Sequence, residues 1–180
     1  CGVGFAPVRQ QHQQALIEMM EGVEDIPGIV LTEGLKWDWE SFPEYLDALA
    51  KLPRTIDIAA QIAHHPLRVY AMGERAIARE QATADDIETM ARLTEEALKA
   101  GAVGFTTSRS DQHKTLAGEL VPGRYAEHEE LIAIGRAMGR AGRGFIALMG
   151  RRPLPEGLRR GFAAADRGVK AEVRLGSGSV

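Results

Sequence analysis

Polar side chains that could do chemistry follow two short apolar runs of this 180-residue sequence. His64 and His65 come directly after residues 55–63, a β-branched and mostly apolar run that predicts a buried strand. A neutral imidazole there could bind a metal, act as a base or hydrogen-bond a substrate. Adjacent residues of an extended segment point in opposite directions, so we expect at most one of the two to face a pocket. A histidine that hydrogen-bonds locally, in a loop or at a helix start, explains the pair equally well.

Ser108, Arg109 and His113 occupy the same position after a second apolar run, residues 102–107. In α/β folds, functional groups collect at the carboxyl ends of strands. Arg109 could hold a substrate carboxylate through two parallel N–H bonds, and Ser108 could donate to a carbonyl. The sequence places no general base beside Ser108, so it gives little support to a serine nucleophile. A solvated loop is the alternative for all three residues.

Cys1 is the only cysteine of the chain, so no internal disulfide can form. As a thiolate it would be a zinc ligand. A small, buried apolar side chain is the alternative, and a single cysteine does not decide between the two.

Helical and strand patterns alternate along the chain. The predicted helices are 10–20, 41–52, 83–100 and 127–139, the predicted strands are 55–63, 102–107 and 144–149, and 25–34 is a predicted loop. This alternation predicts βα units on a parallel sheet, and therefore an α/β protein. Periodicity leaves open whether the sheet is doubly wound or closed into a (β/α) barrel.

The composition excludes several classes of protein. A net charge of −3 argues against a nucleic-acid binder with a dominant basic surface. No apolar run approaches the roughly 20 residues that a membrane-spanning helix needs. No signal peptide is visible at the start of the chain. We therefore expect no nucleic-acid or membrane partner and a cytoplasmic location.

The last thirty residues differ in character from the rest. Residues 151–180 hold seven basic and three acidic residues and end in GSGSV. We expect residues 1–150 to form one structural unit. We expect residues 151–180 to be an atypical basic tail that is flexible or is translated out of frame.

Several separated stretches resemble the N-acyl-D-amino-acid deacylase branch of the amidohydrolase superfamily. They are CGVGFAPV (1–8), EDIPG (24–28), EGLKWDWESFPEYLDAL (33–49), AHHPLRVYAMGERA (63–76) and GAVGFTTSR (101–109). The resemblance covers about residues 1–148. It implies a partial TIM-like (β/α) barrel of the metal-dependent hydrolase type, with residues 1–150 as its middle portion.

The resemblance also implies roles for particular residues. Cys1 matches the metal-ligand cysteine of the family, and His64 matches a histidine that lines the substrate pocket. Ser108 and Arg109 match a strand-end loop near the acyl-amino-acid site. Where many deacylases carry Gly-Leu-x-Tyr, this sequence has SRSDQH, so we expect Arg109 and His113 to bind a different substrate.

The resemblance implies zinc-dependent hydrolysis of a non-peptide amide, with an N-acyl-D-amino acid or a related small amide as substrate. The remaining zinc ligands and the catalytic aspartate of the family have no match in this chain. We therefore expect no catalytic residue within it, and an inactive isolated chain. The alternatives are a cyclic-amide hydrolase on the same scaffold and a non-catalytic interaction fragment. Substrate identity and oligomeric state stay open.

Overall fold

Four parallel strands form the sheet of this protein in the computed structural model, which describes residues 2–150 and the strand residues 170–172. The strands are β1 (Gln61–Ala63), β2 (Gly104–Ser108), β3 (Phe145–Met149) and β4 (Lys170–Glu172). They lie side by side in chain order. The carboxyl ends of β1, β2 and β3 therefore meet at one edge, which we call the carboxyl edge.

Seven α-helices surround the sheet in the described part of the chain. They are α1 (Gln13–Glu24), α2 (Gly28–Gly34), α3 (Phe42–Lys51), α4 (His64–Met72), α5 (Glu74–Ile77), α6 (Ala84–Ala100) and α7 (His128–Ala141). Two 3₁₀ turns, Gln10–His12 and Pro122–Tyr125, complete the elements. None of these helices combines the length and the apolar content that crossing a bilayer requires. The α/β class predicted from the sequence is confirmed.

Two predicted helix starts are confirmed by capping boxes. The Ser41 hydroxyl accepts from the Glu44 amide, and the Glu44 carboxylate accepts from the Ser41 amide. Thr83 and Asp86 make the same pair of bonds at the start of α6. Such caps satisfy amides that have no partner within the helix. Both starts therefore follow from local sequence.

Helices α6 and α7 cover the sheet and build the main core. Met90 and Leu98 of α6 and Ile134 of α7 are fully buried against Phe105 of β2 and Ile146 of β3. The apolar stripes that predicted the two helices are thus the faces that contact the sheet.

The structure corrects three predictions in the first half of the chain. Most of the predicted loop 25–34 is helical, because helix α2 begins at Gly28, directly after Pro27. Only the last three residues of the predicted strand 55–63 form a strand, because β2 begins at Gly104 and pairs with β1 only from there. Ile56 is 72% exposed and Ile58 is 50% exposed as a result.

The first helix runs past its predicted end. Gly22 lies inside α1, which ends at Glu24 and is followed by Asp25 in the left-handed conformation. A β-carbon at Gly22 would stand 2.4 Å from the Lys114 carbonyl oxygen and 2.6 Å from the Thr115 α-carbon. Glycine is therefore needed here because the main chain of residues 114–115 lies directly against α1. It does not end the helix.

The predicted basic tail, residues 151–180, lies mostly outside the described residues, as does Cys1. Within that range, strand β4 pairs with β3 in parallel, with Phe145 opposite Lys170.

Candidate active site

The carboxyl edge brings together two histidines and the end of strand β2. Strand β1 ends at Ala63, and helix α4 begins at once with His64 and His65, both fully buried. The pair thus lies at a helix start, but its ring nitrogens bond to residues far away along the chain and not locally. We call His64 and His65 the histidine pair. Their rings stack with 6.1 Å between centroids, at the end of β2 and beside helix α7.

His64 is held by two partners of the protein itself. Its Nδ1 lies 2.7 Å from the Thr107 hydroxyl, and its Nε2 lies 2.6 Å from Oε1 of Glu130. The other Glu130 oxygen accepts from Arg68 Nη1 at 2.5 Å, and Arg68 Nη2 donates to the Glu80 carbonyl. We call His64, Glu130 and Arg68 the buried triad. A direct substrate contact by His64 would require one of its two hydrogen bonds to break.

Burial and charge set the protonation states of the triad. Burial lowers the pKa of His64, and the hydrogen bond to Glu130 only partly opposes this. Burial acts to raise the pKa of Glu130, but His64 and Arg68 outweigh it and hold that pKa below its ordinary value. A neutral His64 donates from Nε2 to the Glu130 carboxylate, so its Nδ1 accepts from the Thr107 hydroxyl. The charged pair of the triad is Arg68 with Glu130.

His65 has a different set of partners. Its main-chain N–H donates to the Gly2 carbonyl at 3.0 Å, and its Nδ1 accepts from the Gly123 amide at 2.9 Å. Its Nε2 is buried and has no partner among residues 2–150. Burial is the main cause that lowers the pKa of His65 well below the ordinary value. His65 is therefore a neutral imidazole.

Two glycines let the backbone lie directly against the histidine pair. A β-carbon at Gly123 would stand 2.4 Å from His65 Nδ1 and 2.8 Å from His64 Nδ1. One at Gly2 would stand 3.0 Å from His65 Nε2. No larger residue fits at Gly123 without displacing the rings.

Ser108, Arg109 and His113 lie at the same carboxyl edge. Ser108 is fully buried, and its hydroxyl accepts from the Ser110 amide. Arg109 donates from Nη1 to the Arg124 carbonyl at 2.9 Å, and its pKa is lowered by burial and by the Arg124 charge. His113 is partly buried, and its Nδ1 has no partner within the described residues. Substrate contacts by these three residues stay predictions.

The described residues do not by themselves fit a zinc site. Residues 2–150 contain no group of three or more His, Cys, Asp or Glu that could hold a metal ion. Both ring nitrogens of His64 are bonded to protein, and His65 accepts a hydrogen bond at Nδ1. The predicted ligand Cys1 lies outside the described residues.

Sequence reasoning missed Arg68, Glu130 and Gly123. The acidic face of α7 predicts solvated carboxylates, yet Glu130 is 1% exposed. Arg68 went unnoticed because the sequence did not predict helix α4. The glycine of the Pro122–Gly123 turn was the one available signal, since glycine often marks a close backbone approach.

Comparison with known proteins places the chain among hydrolases. A family model described as the amidohydrolase family matches residues 5–168. A D-aminoacylase of Alcaligenes xylosoxydans xylosoxydans is 31% identical over 107 residues, which are 59% of this chain and 19% of that protein. An N-acyl-D-glutamate deacylase of the same organism is 35% identical over 98 residues, which are 54% of this chain and 18% of that protein. The matches thus span about a fifth of either relative. No solved structure matches.

Proposed function

The chain belongs to the amidohydrolase family, and on this basis we propose that the whole protein hydrolyses a non-peptide carbon–nitrogen bond of a small amide. We propose an N-acyl-D-amino acid as the substrate class. The observation that carries this proposal is the family match over residues 5–168. The names of the two relatives, D-aminoacylase and N-acyl-D-glutamate deacylase, support the choice of substrate.

The parallel sheet supports a second part of the proposal, which concerns architecture. We propose that β1 to β4 are consecutive strands of a (β/α) barrel, with residues 1–150 as its middle portion. In such barrels the active site lies at the carboxyl ends of the strands, which is where the histidine pair and Ser108 lie. The family match continues to residue 168, into the segment that we treat as an atypical tail.

We propose zinc as the metal of the whole protein, with Cys1 as the ligand from this chain. Because the described residues supply no complete donor set, the other ligands have to come from outside them. The role proposed for Arg109 is to bind the substrate carboxylate. Its guanidinium donates from Nη1 to the Arg124 carbonyl. A carboxylate would therefore bind to the donors Nε and Nη2. We propose His113, Ser108 and His64 as further groups of the substrate pocket.

Turnover by the zinc-loaded whole protein tests the function. We expect hydrolysis of N-acetyl-D-amino acids, little hydrolysis of the L-isomers and none of cyclic imides. Arg109→Leu should raise the KM for substrates that carry a free carboxylate and should spare the corresponding amides. Turnover of cyclic imides alone would favour the cyclic-amide alternative, and absence of any amide hydrolysis would refute the proposal.

A further inference from the structure

The two members of the histidine pair differ in what their ring nitrogens can still bind. Both nitrogens of His64 have partners in the protein, whereas only Nδ1 of His65 has one among residues 2–150. We propose that His65 is a substrate-binding residue whose Nε2–H donates to an oxygen of the small amide, either its acyl carbonyl or its carboxylate, and that His65 is not a metal ligand. This inference rests on the proposed function and adds a residue to the substrate site.

The hydrogen bond at Nδ1 decides which nitrogen carries the proton. A backbone amide can only donate, so Nδ1 of His65 must offer its lone pair to the Gly123 N–H. A neutral imidazole has one N–H, which is then at Nε2. A metal ion needs a nitrogen lone pair, and His65 has none left to give. An oxygen acceptor is therefore the partner that Nε2 can take.

The Nε2–H group has no acceptor among residues 2–150, although it is buried. A buried donor without a partner costs free energy, and native structures satisfy nearly all such groups. The ring cannot turn over to find another partner without losing the bond from Gly123. Its main chain is also held, because its N–H donates to the Gly2 carbonyl. The protein therefore holds the Nε2–H group of His65 in one orientation, in which none of residues 2–150 accepts its hydrogen bond.

The position of this donor fits a substrate site. Nε2 faces Gly2 at the carboxyl edge, where a β-carbon on Gly2 would be 3.0 Å from Nε2 and 3.1 Å from the Ser108 amide nitrogen. His113 lies close enough for its charge to act on His65. It too has a buried nitrogen without a described partner, and its side chain is partly exposed. Two incompletely paired imidazoles therefore lie close to each other at this edge of the sheet.

Nitrogen NMR of the histidine-labelled chain tests the tautomer directly. We expect a pyrrole-type Nε2 and a pyridine-type Nδ1 for His65 at pH 7. Zinc chloride should leave the Nε2–H signal unchanged, whereas millimolar N-acetyl-D-alanine should shift it and slow its exchange with solvent. A proton on Nδ1, a zinc-dependent loss of the Nε2–H signal, or no response of that signal to N-acetyl-D-alanine would each overturn the proposal.

Substitutions separate hydrogen bonding from a purely structural role. His65→Leu removes the donor, and His65→Gln keeps an N–H near the position of Nε2. We expect His65→Leu to weaken binding of N-acetyl-D-alanine about 3- to 10-fold, the range for one hydrogen bond, and His65→Gln to recover most of it. His128→Gln, at the exposed start of α7, is the control and should bind as the unchanged chain does.

The same measurements keep this inference distinct from the proposed function. If N-acetyl-D-alanine shifts other signals but not His65, only the inference fails. If no signal shifts and the zinc-loaded whole protein hydrolyses no amide, both fail. Equal weakening by His65→Leu and His65→Gln would also contradict a donor role, since glutamine retains the N–H.

Discussion

At the scale of single residues, we expect substitutions in the buried triad to cost the most stability. Glu130 is 1% exposed, and it accepts from both His64 and Arg68. Neither oxygen could find water in place of these partners. Removing the charge of Glu130 or of Arg68 therefore leaves an unpaired buried charge on its partner, which costs stability.

Replacing Glu130 with Gln should destabilise the chain strongly. The change leaves Arg68 charged and fully buried without its carboxylate, and breaking a buried pair in this way costs about 3–5 kcal/mol. The free energy of unfolding in urea measures the effect. Glu129→Gln, on the exposed side of the same helix turn, is the control and should cost about 1 kcal/mol or less. Equal effects at the two positions would mean that the triad has no special role.

The histidine pair makes stability depend on pH. The pKa values of His64 and His65 are lowered from 6.5 in the folded chain. Below pH 6.5 the unfolded chain binds protons that the folded chain does not, so stability should fall as pH falls from 7 to 5. Each histidine contributes a slope of up to about 1.4 kcal/mol per pH unit. The lowered pKa of Glu130 adds a further loss below pH 4.5, its ordinary value.

Urea unfolding at several pH values from 8 to 5 measures this slope. Burial also lowers the pKa of His113, so His65→Gln removes one of three such histidines and should reduce the slope by roughly a third. Unfolding free energies that stay level between pH 7 and pH 5 would contradict the predicted neutral histidines.

At the scale of elements, the turn Pro122–Tyr125 and helix α4 fix each other. The Gly123 amide donates to His65 Nδ1, and the turn approaches so closely that no side chain fits between. This contact joins the loop after β2 to the helix after β1. It therefore positions the two strand ends of the candidate site relative to each other.

Gly123→Ala should weaken this contact. The added methyl group would stand 2.4 Å from His65 Nδ1, so the turn or the ring has to move, at a cost of about 1–3 kcal/mol. Thermal unfolding measures the loss. Gly34→Ala is the matched control, because nothing lies within 4 Å of its β-carbon position. A Gly123→Ala chain as stable as the Gly34→Ala chain would show that the turn can shift freely.

At the scale of the whole molecule, the described residues form part of a site without completing it. Residues 2–150 contain no cluster of three metal-ligating side chains. The matches cover 19% and 18% of the two relatives.

The isolated chain should bind zinc weakly and below one ion per chain. A single thiolate or imidazole is too few ligands for a tetrahedral site, which needs at least three from protein. Elemental analysis after purification and dialysis measures the zinc content, with Cys1→Ser as control for binding by the thiol. One tightly held zinc per chain that survives dialysis would contradict the prediction.

Local sequence by itself determined most of the helices and strands of this protein. The capping residues Ser41 and Thr83 and the apolar stripes of α6 and α7 act within a few residues, so their pattern is visible without the fold. The positions of His64, Ser108 and Arg109 at strand ends were visible in the same way. The family resemblance and the metal role of Cys1 came from motifs, and the role of Cys1 stays a proposal.

Only the tertiary structure decided which of these residues meet and how they are protonated. His64 reaches Glu130 across 66 positions, and His65 reaches Gly123 across 58. The exposure of residues 55–59 depended on where β2 begins, which these residues themselves do not encode. Burial and hydrogen bonding of an ionisable group are set by distant neighbours. The tautomer of His65, and the donor it leaves free, therefore follow from the assembled fold and not from residue type or spacing.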